Sequence, residues 1–403
     1  MTESSASPDR ASTWLVVVGI ALVSLNLRPA IVSVAPLLDV IGASLELSSA
    51  EVSLLTAVPV VLIGVFALSV PPIVSRIGHG RGVFWGVFLI GIGTAARLGG
   101  ESLVVLIATT LVVGVGIGIT QALLPSIVKL YFPDRVAFGT GLYTVTLTVG
   151  ATLAAGATVP IGRYLDSWPG ALAIWAVVAA AALIAWLPVA RAMGRDRPRP
   201  TTPAPAARSA SWLSWRNPFV WGLTLFYVIN TAVYYSMLTW LAPRFTALGW
   251  SETAAGLLLT VFILAGLVGM IVITVVGDRT ADRRVWLVPT VSLTLVGTGG
   301  VAIVPEAAPW LWAISLGFGV GAWFTLMLML PVDYTTDSVA TSRLSAVGIA
   351  GGYVFGGASP FGVGLLRDLT GGLSVPFGGL VAFVLLGLAM CFLFGPDRAR
   401  YGG

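Results

Sequence analysis

The sequence predicts an all-α integral membrane protein of twelve transmembrane helices, arranged as two parallel six-helix repeats. Three observations carry that expectation. Of 403 residues, 57% are hydrophobic and only 10% charged, with a mean hydropathy of +0.96; an ordinary soluble domain carries roughly 25% charged residues. The apolar residues gather into twelve stretches, each near the length of about 20 residues that crosses a bilayer. Landmarks of the first half recur in the second at an offset of about 204 residues, as parallel repeats require.

The elements follow from charged, Pro-rich and Gly-rich breaks. In the first half they delimit 13–39, 50–74, 82–98, 103–128, 136–161 and 171–189. In the second half the spans are 219–243, 253–276, 285–304, 309–331, 344–366 and 375–394. Barrel strands would be about 9–11 residues long and alternate in polarity; these runs are longer and apolar all round. The first run follows Arg10, Glu3 and Asp9. That is a poor signal-peptide head, so the run is read as a retained helix.

Between the sixth and seventh spans, 191–217 holds six Arg and four Pro. Such a segment cannot bury enough apolar surface to fold and reads as a polar linker. The chain thus divides into a tail (1–12), a six-helix bundle (13–190), the linker (191–217), a second bundle (218–395) and a second tail (396–403). With both termini and the linker cytoplasmic, 17 basic residues lie inside. Four lie outside: Arg97, Arg163, Arg244 and Arg367. That asymmetry orients a multi-pass protein of the cytoplasmic membrane.

The repeat pairs Asn26 with Asn230, Leu54-Leu55-Thr56 with Leu258-Leu259-Thr260, and Pro160-x-Gly162 with Pro360-x-Gly362. It also pairs Gly114-x-Gly116-x-Gly118 with Gly317-x-Gly319-x-Gly321. A nucleotide loop needs a strand–turn–helix setting. These triplets sit inside apolar spans, where small residues let helices pack closely.

Composition removes several functions. The single Cys391 excludes a disulfide framework, and the single His79 leaves no protein-built metal site and no cofactor site. Dispersed carboxylates offer no catalytic constellation, so the chain is not read as an enzyme. Its basic residues are scattered through loops, which argues against nucleic acid.

One charge lies within a span. Arg28 is two residues from the centre of the first span, roughly 3 Å along a helix axis, where an arginine costs about 2.5–3.5 kcal/mol or more. All 17 acidic residues lie in loops or at span ends. Arg28 therefore lacks an internal counter-ion. An anionic substrate would supply one, since a guanidinium suits carboxylates and small delocalised anions. The alternative is a bond to backbone carbonyls freed by Pro29 or Pro36.

Polar and aromatic residues near span centres complete the candidate cavity: Asn26, Gln121, Tyr143, Trp323 and Tyr353, with Tyr227, Asn230 and Tyr234 on one face of the seventh helix. Each could equally join helices. As a set they describe a site for a small anion or polar aromatic. No carboxylate stands in the membrane to carry protons, and His79 falls in a loop. The expected modes are facilitated transport, exchange, or symport of a proton borne by the substrate.

The arrangement resembles the major facilitator superfamily over the whole chain. Its loop motif appears as Ser75-Arg76-Ile77-Gly78-His79, and Asp278-Arg279 with Arg283 and Arg284 follows in the second half. The resemblance implies a gating role for Arg76, Gly78, Asp278 and Arg279. Asn26-Leu27-Arg28-Pro29-Ala30 resembles the first-helix signature of the cyanate/2-nitroimidazole transporter family. So do Leu54-Leu55-Thr56 with Pro59, and Phe132-Pro133-Asp134-Arg135 before Thr140-Gly141-Leu142-Tyr143. The chain departs from that pattern at Ile229-Asn230 and Val347-Gly348. The resemblance implies a monomer in the lipid bilayer that moves a small anion or compact nitrogen heterocycle by alternating access, with Arg28 in its cavity. An exporter of amphipathic drugs and a non-transporting receptor are the other readings.

Overall fold

The computed structural model describes residues 10–67, 73, 76–132, 135–193, 217–280, 282–335 and 338–395. Among them, twelve helices are long and apolar enough to cross a bilayer. In the first half these are α1 (Trp14–Ser44), α2 (Ser49–Phe66), α3 (His79–Gly99), α4 (Leu103–Tyr131), α5 (Phe138–Leu165) and α6 (Trp168–Met193). In the second half they are α7 (Pro218–Thr246), α8 (Glu252–Val276), α9 (Arg284–Ile303), α10 (Pro309–Asp333), α11 (Arg343–Thr370) and α12 (Ser374–Cys391). The tails at 1–9 and 396–403, the linker core at 194–216, Ser75 and 133–134 lie outside the described residues. Asn217 caps α7, its side chain accepting from the Phe219 amide at 2.9 Å. The side where α6 ends and α7 begins is the linker end; the other is the far end.

Glycine spacing explains how each half packs. A Cβ at Gly114 or Gly118 would stand 2.6–2.9 Å from Leu62 and Phe66 of α2, and one at Gly116 would stand 2.5 Å from the Gly86 carbonyl of α3. The second triplet repeats the arrangement. Gly317 and Gly321 face the Phe262 and Gly266 carbonyls of α8, and Gly319 faces Thr294 of α9. Each triplet thus clamps two neighbouring helices on opposite faces of α4 or α10. These are packing glycines.

The halves meet along α2 with α11 and α5 with α8, again through glycine. Gly64 lies against Val354, Gly364 against the Ser49 carbonyl, and Gly256 against the Ala155 carbonyl. Polar contacts between the halves gather toward the far end. The Asp368 carboxylate accepts from the Ser49 and Ala50 amides at 2.9 and 2.8 Å. Asp39 accepts from Arg367 at 3.2 Å and from Thr246 at 2.9 Å. Arg163 and Glu252 pair at 3.7 Å.

Two helices are broken where the halves face each other. α1 is helical to Asn26, turns at Leu27 and Arg28, and resumes at Pro29–Val32. α11 contains a π-helical stretch at Gly352–Gly356, a distortion that recurs at functional sites.

Candidate functional site

The break in α1 positions Arg28. Pro29 has no N–H to bond the Leu25 carbonyl and cannot continue a regular helix. The chain turns there and drives the Arg28 side chain toward the second half. Arg28 is 7% exposed. Its Nη1 donates to the Tyr235 hydroxyl of α7 at 2.6 Å, and the guanidinium carbon stands 5.7 Å from that ring's centroid. Nε is buried without a partner. Among the described residues no carboxylate pairs with Arg28. Its acceptor is a phenol, not a backbone carbonyl.

A cavity of about 160 Å³ opens beside Arg28, between the two halves. Its wall takes Gln121 from α4, Tyr143, Thr144 and Thr148 from α5, and Asn230, Thr231, Tyr234 and Tyr235 from α7. Met270 of α8, Phe324 of α10 and Tyr353 of α11 complete it. Tyr353 sits in the π-helical stretch. Tyr234, Tyr235 and Tyr353 form an aromatic corner, with ring centroids 5.0 Å apart for the first pair and 6.1 Å for Tyr235 and Tyr353. Asn230 is held by the Val320 carbonyl, to which Nδ2 donates at 3.1 Å. The Gln121 Oε1 is buried without a partner. Among the described residues the wall carries no carboxylate and no histidine.

Of the residues singled out in the sequence, Arg28, Gln121, Tyr143, Asn230, Tyr234 and Tyr353 line this cavity. Three do not. Asn26 is buried beside it with Nδ2 unpartnered. Tyr227 donates to the Met327 carbonyl at 2.8 Å, which ties α7 to α10. Trp323 packs in the second half, 5.0 Å from Phe226 and against Gly387.

Sequence reasoning missed Tyr235, Phe324 and the threonines. The spacing of Tyr227, Asn230 and Tyr234 selects a single stripe of α7. The cavity uses a broader face, which adds the next-door neighbours Thr231 and Tyr235.

Arg97, which the sequence places at the outer end of the third span, is also buried, at 1% exposure. The chain tightens into a 3₁₀ turn at Ala96–Gly99. Arg97 points inward from it, donating to the Ala30 carbonyl at 2.7 Å and the Thr110 hydroxyl at 3.4 Å. In the loop motif, Arg76 is exposed and Gly78 starts α3 at φ +79°, a conformation that favours glycine. Asp278 and Arg279 lie in the turn Gly277–Arg279, with Arg279 exposed. Nearby, Arg283 binds Asp333 at 2.8 Å. Arg284, bonded to Asp282 at 2.8 Å, holds that carboxyl below the usual carboxylate range.

Residues 16–362 match the model of the Major Facilitator Superfamily. The chain is 31% identical over 353 residues to the cyanate transport protein CynX of Escherichia coli (strain K12), covering 87% of this chain and 90% of that one. It is 30% identical over 394 residues to a 2-nitroimidazole transporter of the same organism, covering 98% of both. Its fold matches the inward-facing, unoccupied crystal structure of a bacterial homologue of the lysosomal transporter Spinster. That match has a TM-score of 0.73 and 17% identity, over 96% of this chain and 97% of that one.

Proposed function

The chain belongs to the major facilitator superfamily, and from that premise we propose that it carries a small anion or a compact, acidic nitrogen heterocycle across the cytoplasmic membrane by alternating access. The observation that carries this reading is Arg28: a buried guanidinium on the cavity wall whose acceptor is a neutral phenol. A buried cation costs several kcal/mol unless it is paired. A bound anion would supply the pairing through the guanidinium fork.

Cavity size narrows the substrate. About 160 Å³ is below the roughly 300–1,000 Å³ of drug-sized sites, which favours a compact solute over an amphipathic drug. The relatives fit that range, being named for cyanate and for 2-nitroimidazole. Tyr143, Tyr234, Tyr353, Asn230 and Gln121 offer aromatic faces and neutral polar groups to such a solute. With no carboxylate or histidine on the described wall, a coupled proton travels on the substrate; otherwise transport is facilitated or an exchange. The basic residues orient the linker end toward the cytoplasm, and burial of Arg97 lowers the opposing count further.

The test is a thermal-shift screen of cyanate, nitrate, acetate and 2-nitroimidazole on the purified protein. Ligands that bind the native state raise its stability, by about 2.7 kcal/mol at a hundredfold excess over Kd. We expect at least one to do so, and Arg28→Ala to fold yet lose the shift. A shift retained in Arg28→Ala overturns the assignment.

A further inference from the structure

We propose that Tyr235 is an internal stand-in for the substrate, occupying the anion-binding edge of Arg28 in the empty protein and giving way when an anion binds. This rests on the anion reading above and says how that site is controlled.

An arginine presents donors at Nε, Nη1 and Nη2, and a carboxylate or similar anion binds best across two adjacent ones. Nε is buried and has no partner, which leaves the Nε–Nη2 edge the less accessible one. The Nη1–Nη2 edge is what an incoming anion can reach. Tyr235 already engages one end of it, taking one of the two Nη1 protons at 2.6 Å. An anion forked across Nη1 and Nη2 meets the Tyr235 hydroxyl at that nitrogen and competes with it.

The surroundings favour a stand-in over a helper. Tyr235 is buried, and its ring is braced by Tyr234 and Tyr353. Its hydroxyl is thus held on Arg28 by the packing of its own ring. A neutral phenol satisfies one of the five guanidinium protons; this suffices to keep the charge tolerable but leaves it short of acceptors. The bond also joins α1 of the first half to α7 of the second. Breaking it on binding would release one tie between the halves at the moment the substrate enters, which is where alternating access needs a signal.

Removing the competitor should tighten binding. The dissociation constants of cyanate, nitrate and acetate are measured by titration on purified Tyr235→Phe, which lacks only the hydroxyl, and on Tyr235→Met, which lacks the acceptor in a different shape. We expect both variants to bind the anion about 3- to 10-fold more tightly, the net scale of one ordinary hydrogen bond. Tyr234→Phe removes a wall hydroxyl not bonded to Arg28 and should weaken binding rather than tighten it. In the double variant with Arg28→Lys, the gain from Tyr235→Phe should vanish, because a lysine has no fork to share.

Weaker or unchanged anion binding in both Tyr235 variants overturns the stand-in and makes Tyr235 an ordinary wall residue. That failure is separable from failure of the anion reading. Arg28→Ala that still binds anion, or an unmodified protein that binds neither the three anions nor 2-nitroimidazole, overturns both. Loss in Arg28→Ala together with no gain in the Tyr235 variants overturns this inference alone.

Discussion

A guanidinium inside a bilayer needs acceptors, and among the described residues the two buried arginines find them differently. Arg28 faces a cavity and holds one phenol. Arg97 faces the backbone: it takes the Ala30 carbonyl, whose helical partner would be the Val34 amide, but that amide bonds Ile31 instead. Arg97 thus satisfies a carbonyl freed by the irregular path of α1 just after Arg28. Arg97→Met keeps the bulk of the side chain but leaves Ala30 unpaired. We expect a loss of about 1.5–3 kcal/mol, the worth of a hydrogen bond to a charged group, seen as a lower Tm in detergent. An unchanged Tm would show that the carbonyl finds water instead. Arg28 was legible in the sequence because charge near a span centre has nowhere to go. Arg97 was not: two residues from a helix end an arginine ordinarily reaches the interface, and only the inward 3₁₀ turn prevents it. Tyr235 was hidden by its neighbour, since a spacing rule that selects Tyr234 leaves out the next residue on the same broad face.

At the scale of helices, glycines report where backbones must touch. The triplets in α4 and α10 could be read as packing glycines, because their context excluded a phosphate loop. Gly150 of α5 has a more specific duty. Pro29 leaves the Leu25 carbonyl without its helical donor, and α5 approaches so closely that a Cβ at Gly150 would lie 2.1 Å from that oxygen. Gly150→Ala would push α5 off the break in α1. Overpacking of this kind costs about 1–3 kcal/mol, and the displaced wall includes Thr148 and Tyr143. We expect a lower Tm and weaker anion binding together in Gly150→Ala. Full affinity in that variant would mean that the α1 break does not depend on α5. The break itself could be anticipated from Pro29; the π-helical stretch of α11 could not, because a run of glycines permits a bulge without dictating its place.

Across the whole molecule, Asp368, Arg367 and Asp39 tie the two halves together at the far end. Asp368 of α11 accepts both amides at the start of α2, where a negative charge also suits the helix dipole. This tie must open if the far end is to admit solute. Asp368→Ala removes it. Both bonds sit near water, so we expect about 1 kcal/mol rather than the larger value of a buried charged acceptor. That is enough to raise thiol labelling of a cysteine placed at Ser48 several-fold, and equal labelling would remove Asp368 from the closure. Twelve spans and their twofold repetition were legible from hydropathy and offset. The state of the two ends was not, since loop charges do not reveal which partners they choose across the halves. Transport by this architecture through Arg28 is read out by counterflow in proteoliposomes. Vesicles preloaded with the anion that gives the largest thermal shift should accumulate external labelled anion when they contain the unmodified protein, and should fall to the level of empty vesicles with folded, correctly inserted Arg28→Ala. Undiminished counterflow in Arg28→Ala would contradict the account.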